Sequence, residues 1–224
     1  MKVAHAIGET WKHVGRLKTV VVASHRFDAV ERFVRENPNV ELQIEPSLVY
    51  GDIHTMSVDC NSKLYTRFST PYVLIVQDDG YPQRKGLEEF VGKWDYIGAL
   101  IICDGWKRKL CFALNFGGYN GGFSLRSKRY CEYVSKWWFR FGRFWLSLLS
   151  RHVGEDVIYC FLARLNPYAW LKFRFPPERE AWKFSYDSLN GLTALPEGIS
   201  PFGLHGKATL GRWSDDRSVE RVDS

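Results

Sequence analysis

Four short stretches carry the residues best suited to chemistry. Gln77-Asp78-Asp79-Gly80 follows the apolar run 72–76 (YVLIV). Adjacent carboxylates repel each other, a cation relieves the repulsion, and hard oxygen donors suit Mg2+ or Mn2+. A turn with one Asp capping a helix and the other solvated accounts for the same residues. Residues 120–127 (NGGFSLRS) combine paired glycines, which let backbone approach a ligand closely, with Arg126 and Ser127 as contacts for phosphate or sugar hydroxyls. The plainer account is a β-turn into a strand. Gly154-Glu155-Asp156 sets two acids at a helix start, where they complement the helix dipole or where Asp156 acts as a general base towards a hydroxyl. Finally, residues 201–206 (PFGLHG) hold His205 between tight-turn residues, as a ligand or as a structural histidine. GKAT at Gly206 lacks the upstream glycine of a Walker A loop, and no GxGxxG occurs.

An alternating frame must position these groups. Residues 18–24 (KTVVVAS) read as a strand, 27–35 as a helix, 40–44 as a strand, 59–68 as a helix and 72–76 as a strand covered on both faces. Strand, helix, strand, helix, strand argues for an α/β sheet of mostly parallel order. Further along, 87–91 is a helical turn, 96–103 a strand and 115–122 a glycine-rich loop; helices start near Lys128 and Asp156. Pro176-Pro177 and the Gly and Pro residues of 190–206 mark loops, and from Lys207 the composition turns polar.

Composition narrows the class. The 224 residues hold nine Trp, eleven Tyr and fifteen Phe, too many packing residues for a disordered chain. No apolar run reaches the roughly 18–20 residues of a membrane span, and residues 1–18 lack the continuous apolar segment of a secretory signal. Thirty-one Lys and Arg against 25 Asp and Glu favour anionic partners. Five irregularly spaced cysteines without a CxxC pair read as reduced thiols, so a cytoplasmic setting is expected.

Taken in order, strand-QDD, NGGFSLRS, GED and PFGLHG resemble the GT-A-type nucleotide-sugar glycosyltransferases, most closely a poorly characterised group sharing NGGFSLRS, an ED pair and PFG-x-HG. The resemblance spans roughly residues 18–206. It implies an α/β fold with a single GT-A-like (Rossmann-like) domain over 1–206, a mixed, mostly parallel central sheet flanked by helices, and a polar tail over 207–224. Gln77-Asp78-Asp79 would stand for the D-x-D element, although a strict D-x-D is lacking. Asp79 and His205 would bind Mn2+ or Mg2+, and Asp78 would approach the ribose or donor sugar. Asn120, Gly121 and Gly122 would line that sugar; Ser24, His25 and Arg26 would receive the nucleotide base; Lys63 would reach the diphosphate. Asp156 would be the catalytic base, with Glu155 orienting the acceptor.

The implied activity is metal-dependent, inverting transfer from a UDP-, GDP- or dTDP-linked sugar to a hydroxyl of a glycan or glycolipid acceptor, such as a surface polysaccharide, lipopolysaccharide or glycoprotein glycan. The alternative is a non-catalytic glycan- or nucleotide-binding module on a degenerate transferase fold; the two acidic pairs argue against it. No RRM, KH or helix-turn-helix pattern supports nucleic-acid binding. Residues 135–151 (SKWWFRFGRFWLSLLSR) contain four cations, three Trp and no acid. They would suit peripheral contact with a membrane, stacking on sugars, or an ordinary core-facing segment.

Overall fold

The computed structural model describes residues 2–49, 52–100, 119–138, 155–160, 166–187, 195 and 197–206. Helix α1 (Lys2–Val14) buries Ala6 and Ile7 and stops at Gly15, whose φ of 80° suits a residue without a Cβ. Strand β1 (Thr19–Ala23), helix α2 (Asp28–Glu36) and strand β2 (Val40–Ile44) form the expected parallel unit, in register from Thr19 opposite Val40 to Ala23 opposite Ile44. Asp28 and Glu31 in the first turn of α2, and Arg35 in its last, complement the helix dipole. Trp11 ties α1 to this unit, donating to the Thr19 hydroxyl at 3.2 Å and stacking on Phe33.

Helix α3 (Ile53–Lys63) starts at Asp52, whose side chain accepts from the His54 amide, and runs into a 3-10 turn at Leu64–Thr66. It begins earlier than the 59–68 reading, because the cap lies upstream of the apolar residues. Strand β3 (Tyr72–Ile75) leads through the Gln77–Gly80 turn to β4 (Gly80–Pro82). After the 3-10 turn Leu87–Glu89 come β5 (Tyr96–Leu100) and β6 (Tyr119–Ser127). Helix α4 (Lys128–Trp137) follows at once, capped by the Ser127 hydroxyl. The remaining elements are α5 (Glu155–Cys160), α6 (Pro167–Lys172), α7 (Glu178–Phe184), β7 (Ser185–Asp187) and β8 (Gly203–His205).

The class is mixed α/β, but the expected mostly parallel order is overturned. Among the described residues the strands form three small sheets, β1-β2, β3-β6-β5 and β4-β8-β7. Pairing is parallel in β1-β2 and β7-β8, and antiparallel in β3-β6, β5-β6 and β4-β8. The alternation of strands and helices predicted neighbours in sequence; instead β3 pairs with the distant β6, which lies between β3 and β5 and is buried along nearly its whole length. Its Phe123 and Leu125 join a cluster with Phe90, Ile97, Phe184 and Phe202. Tyr119 belongs to the larger cluster of Tyr96, Tyr130, Tyr159 and Trp182.

Asp95, fully buried before β5, accepts from the Ser127 hydroxyl at 2.6 Å, the Arg174 amide at 2.9 Å and both ends of the Arg129 fork. Burial works to raise its carboxyl, but those donors hold it below the ordinary value. Cys131 and Cys160 are buried free thiols, and burial pushes Cys131 up to about 11, which disfavours its thiolate. Among the described residues no helix is long and apolar enough to cross a membrane. The 207–224 tail and most of 135–151 lie outside the described residues.

Candidate functional site

The site is assembled by the smallest sheet. Gly80, His205 and Asp187 stand side by side across β4, β8 and β7, since Gly80 pairs with His205 and His205 with Asp187. The Gln77–Gly80 turn is closed by main-chain bonds between its ends, and the Asp79 carbonyl accepts from the Gly206 amide at 2.9 Å. Asp79 and His205, 126 positions apart in the numbering, therefore meet: Asp79 Oδ1 lies 3.6 Å from His205 Nε2. Gln77 Oε1 is 3.5 Å from the same nitrogen. Asp78, next in the chain, is exposed at the tip of the turn.

The other ring nitrogen has its own partner. Asp187 Oδ2 lies 3.4 Å from His205 Nδ1 and accepts from Asn120 Nδ2 at 3.0 Å. Asn120 Oδ1 accepts from the Gly122 amide at 2.7 Å. Sequence reasoning missed Asp187 altogether: a single Asp in a three-residue polar strand has no periodic signal, and its role emerges only from the register with β8. A carboxylate on Nδ1 orients the imidazole and leaves Nε2 to face a ligand.

Asn120, Gly121 and Gly122 lie within β6, not in the expected loop. The lack of side chains at Gly121 and Gly122 serves the protein's own packing. A methyl on Gly122 would overlap Gln77 Oε1 and His205 Nε2, and one on Gly121 would overlap Glu155 Oε1. Behind Gly121 sits Arg126, fully buried, which donates to the Gly121 carbonyl at 3.0 Å, the Ser124 hydroxyl at 2.9 Å and Glu155 Oε1 at 3.2 Å. The Tyr96 and Tyr159 rings flank its guanidinium at 5.0 and 4.5 Å. Arg126 and Ser127, read from sequence as phosphate or sugar contacts, are thus interior: Ser127 caps α4 and binds Asp95. Glu155 is buried in its pair with Arg126 rather than presented to an acceptor. Asp156, half-buried in the first turn of α5, follows it directly.

The remaining candidates lie apart from this cluster in their described contacts. The Ser24 hydroxyl contacts His25 Nδ1 at 3.0 Å, His25 packs on Phe27, and Arg26 pairs with Glu31. Lys63 is bound by Glu45 at 2.6 Å. Hydrogen bonds from Lys63 and Ser47 hold the Glu45 carboxyl down at about 2, against an ordinary 4.5. A folded-state pKa below the unfolded one gives stability that is complete above the unfolded value and is lost as pH falls towards the folded value. Urea unfolding between about pH 5 and about pH 2 should show this limb, and Lys63→Met should flatten it. The effect is below about 1 kcal/mol, because Lys63 is half exposed.

One carboxylate oxygen, one imidazole nitrogen and a nearby amide oxygen form a small donor set. Among the described residues no group of three or more His, Cys, Asp and Glu is placed to hold a metal ion. The geometry gives the reason: Asp79 and Asp187 flank opposite nitrogens of one ring and so cannot share an ion with it. Two protein donors suit an Mg2+ or Mn2+ ion that arrives with phosphate oxygens, which is how these ions are commonly held. Asp79 and His205 are the residues that would hold it.

The profile of the family described as "Protein of unknown function (DUF5672)" matches residues 46–205. The chain belongs to this family. The family segment contains the Gln77–Gly80 turn, all of β6, Glu155, Asp156 and Asp187, and it ends on His205; Ser24, His25 and Arg26 fall outside it. A comparison with curated proteins gives no match.

Proposed function

We propose that the chain is a metal-dependent glycosyltransferase of GT-A type that uses a nucleoside-diphosphate sugar and a glycan or glycolipid acceptor. The observation that carries this reading is the approach of Asp79 to His205 Nε2 against Gly122. The neighbouring glycine, Gly121, abuts the Glu155 that precedes Asp156. A bound divalent ion would supply Lewis-acid neutralisation of the charge on the departing diphosphate. Asp79 and His205 would hold that ion at the diphosphate end of the donor, and Asp187 and Asn120 fix the orientation of the imidazole. As the acceptor oxygen bonds to the anomeric carbon and the sugar–phosphate bond breaks, Asp156 takes the hydroxyl proton and the nucleoside diphosphate leaves with the bonding electrons. The oxocarbenium-like centre gains from the nearby carboxylate, and attack opposite the leaving group inverts the anomeric carbon. Glu155, bound to Arg126, positions the start of α5 and not the acceptor.

Thermal unfolding with UDP, GDP and dTDP, each with and without Mn2+, tests the reading. One nucleotide should raise Tm only when Mn2+ is present, and Asp79→Ala and His205→Ala should each remove that rise. Asp156→Asn should keep the rise while slowing transfer by about 10²-fold or more. No response to any nucleotide sinks the proposal. A metal-dependent response without transfer from any donor favours the non-catalytic module.

A further inference from the structure

Helix α6 is a six-residue surface turn, started by Asn166 accepting from the Tyr168 amide and by Pro167 in its first turn. Ala169 is its buried residue, so its large apolar side chains face out: Leu171 is 91% exposed, Trp170 51% and Tyr168 48%. One exposed apolar residue is ordinary, but three of the largest types on a single turn form a patch. The stretch 166–174 (NPYAWLKFR) contains no acid. Lys172 donates to the Tyr168 hydroxyl at 2.5 Å and Arg174 to the Gly92 carbonyl at 2.6 Å. Both partners are neutral oxygens that leave the positive charge in place. The Arg174 bond brings the 91–93 segment alongside, where Val91 is 42% exposed and Lys93 is exposed as well. Tyr133 of α4 packs on Tyr168 and Phe173, anchoring the turn to the core.

We propose that this turn docks the protein on an anionic lipid surface, with Trp170 and Leu171 entering the headgroup region and Lys172 and Arg174 lying over lipid phosphates and carboxylates. The arrangement has the two components that reversible interfacial binding requires, an apolar wedge and adjacent cations. The surface differs from the 135–151 stretch singled out in the sequence, and it does not depend on the transferase reading.

Co-sedimentation of the full chain with vesicles tests it, comparing phosphatidylcholine alone with phosphatidylcholine and phosphatidylserine at about three to one. Binding is expected only to the mixed vesicles and should weaken in high salt. Leu171→Asp and the pair Lys172→Glu with Arg174→Glu should each lower binding about tenfold, with the melting temperature of Leu171→Asp unchanged because the side chain packs on little. Absence of binding, or equal binding by Leu171→Asp and the parent chain, overturns the proposal. So does light scattering that shows a dimer abolished by Leu171→Asp, since a second copy would then cover the patch.

Discussion

Arg126→Met should destabilise the protein by about 3–5 kcal/mol, the cost of leaving one member of a buried ion pair behind. Arg126 is wholly buried, and Glu155 is 6% exposed. Met fills much of the volume and keeps contact with Tyr96 and Tyr159, but supplies no charge for the carboxylate. It also removes the donors to the Gly121 carbonyl and the Ser124 hydroxyl. Arg126 Nη1 is buried without a hydrogen-bond partner, so the pair is not ideally satisfied and its net worth against an apolar replacement is modest. Hence the double variant Arg126→Met with Glu155→Gln should recover part of the loss, a coupling that urea unfolding measures directly. A single variant within about 1 kcal/mol of the parent would contradict the buried pairing.

Gly122→Ala should lower Mn2+ affinity in the presence of nucleotide by about a hundredfold. It should cost about 1–3 kcal/mol of stability, as overpacking typically does. The added methyl meets Gln77 Oε1 and His205 Nε2. Gln77 can swing away, whereas His205 is held by the β8 ladder and by Asp187 on its far side. Displacing Nε2 therefore alters the donor geometry before it threatens the fold. Gly8→Ala is the matched control, since a methyl there meets nothing within 4 Å and alanine favours the helix. Mn2+ titration followed by calorimetry checks both, and an unchanged isotherm for Gly122→Ala would remove His205 from the proposed metal site.

Much of the framework is legible from residue order. The β-branched run before His25, the amphipathic 27–35 segment and the Asn37-Pro38-Asn39 stop specify the β1-α2-β2 unit, because local signals suffice where neighbours in sequence pair. Helix α4 is legible for the same reason, with Ser127 at its cap. The partner of β3 is not, since 43 residues separate β3 from β6 and no local pattern encodes the pairing. At the site, Asp79 and His205 approach to 3.6 Å, and the metal role that the motif resemblance implies for them is a proposal. The packing roles of the glycines and of Arg126 are hidden in the sequence for one physical reason. Small residues beside a cation resemble a ligand cradle in sequence, yet Gly121 and Gly122 make room for Glu155, Gln77 and His205 within the protein. Asp187 shows the converse limit: its importance lies wholly in standing opposite His205.

The Gly206 amide bond to the Asp79 carbonyl gives the site a fixed aperture. The spacing of the two backbones that carry the carboxylate and the imidazole is set by main-chain bonds, as in a caliper whose jaws are riveted to one frame. Exchanging the side chains on those jaws would change how firmly something is gripped while leaving the width nearly untouched. Single substitutions can therefore change the chemistry presented at these two positions without rebuilding the scaffold that spaces them.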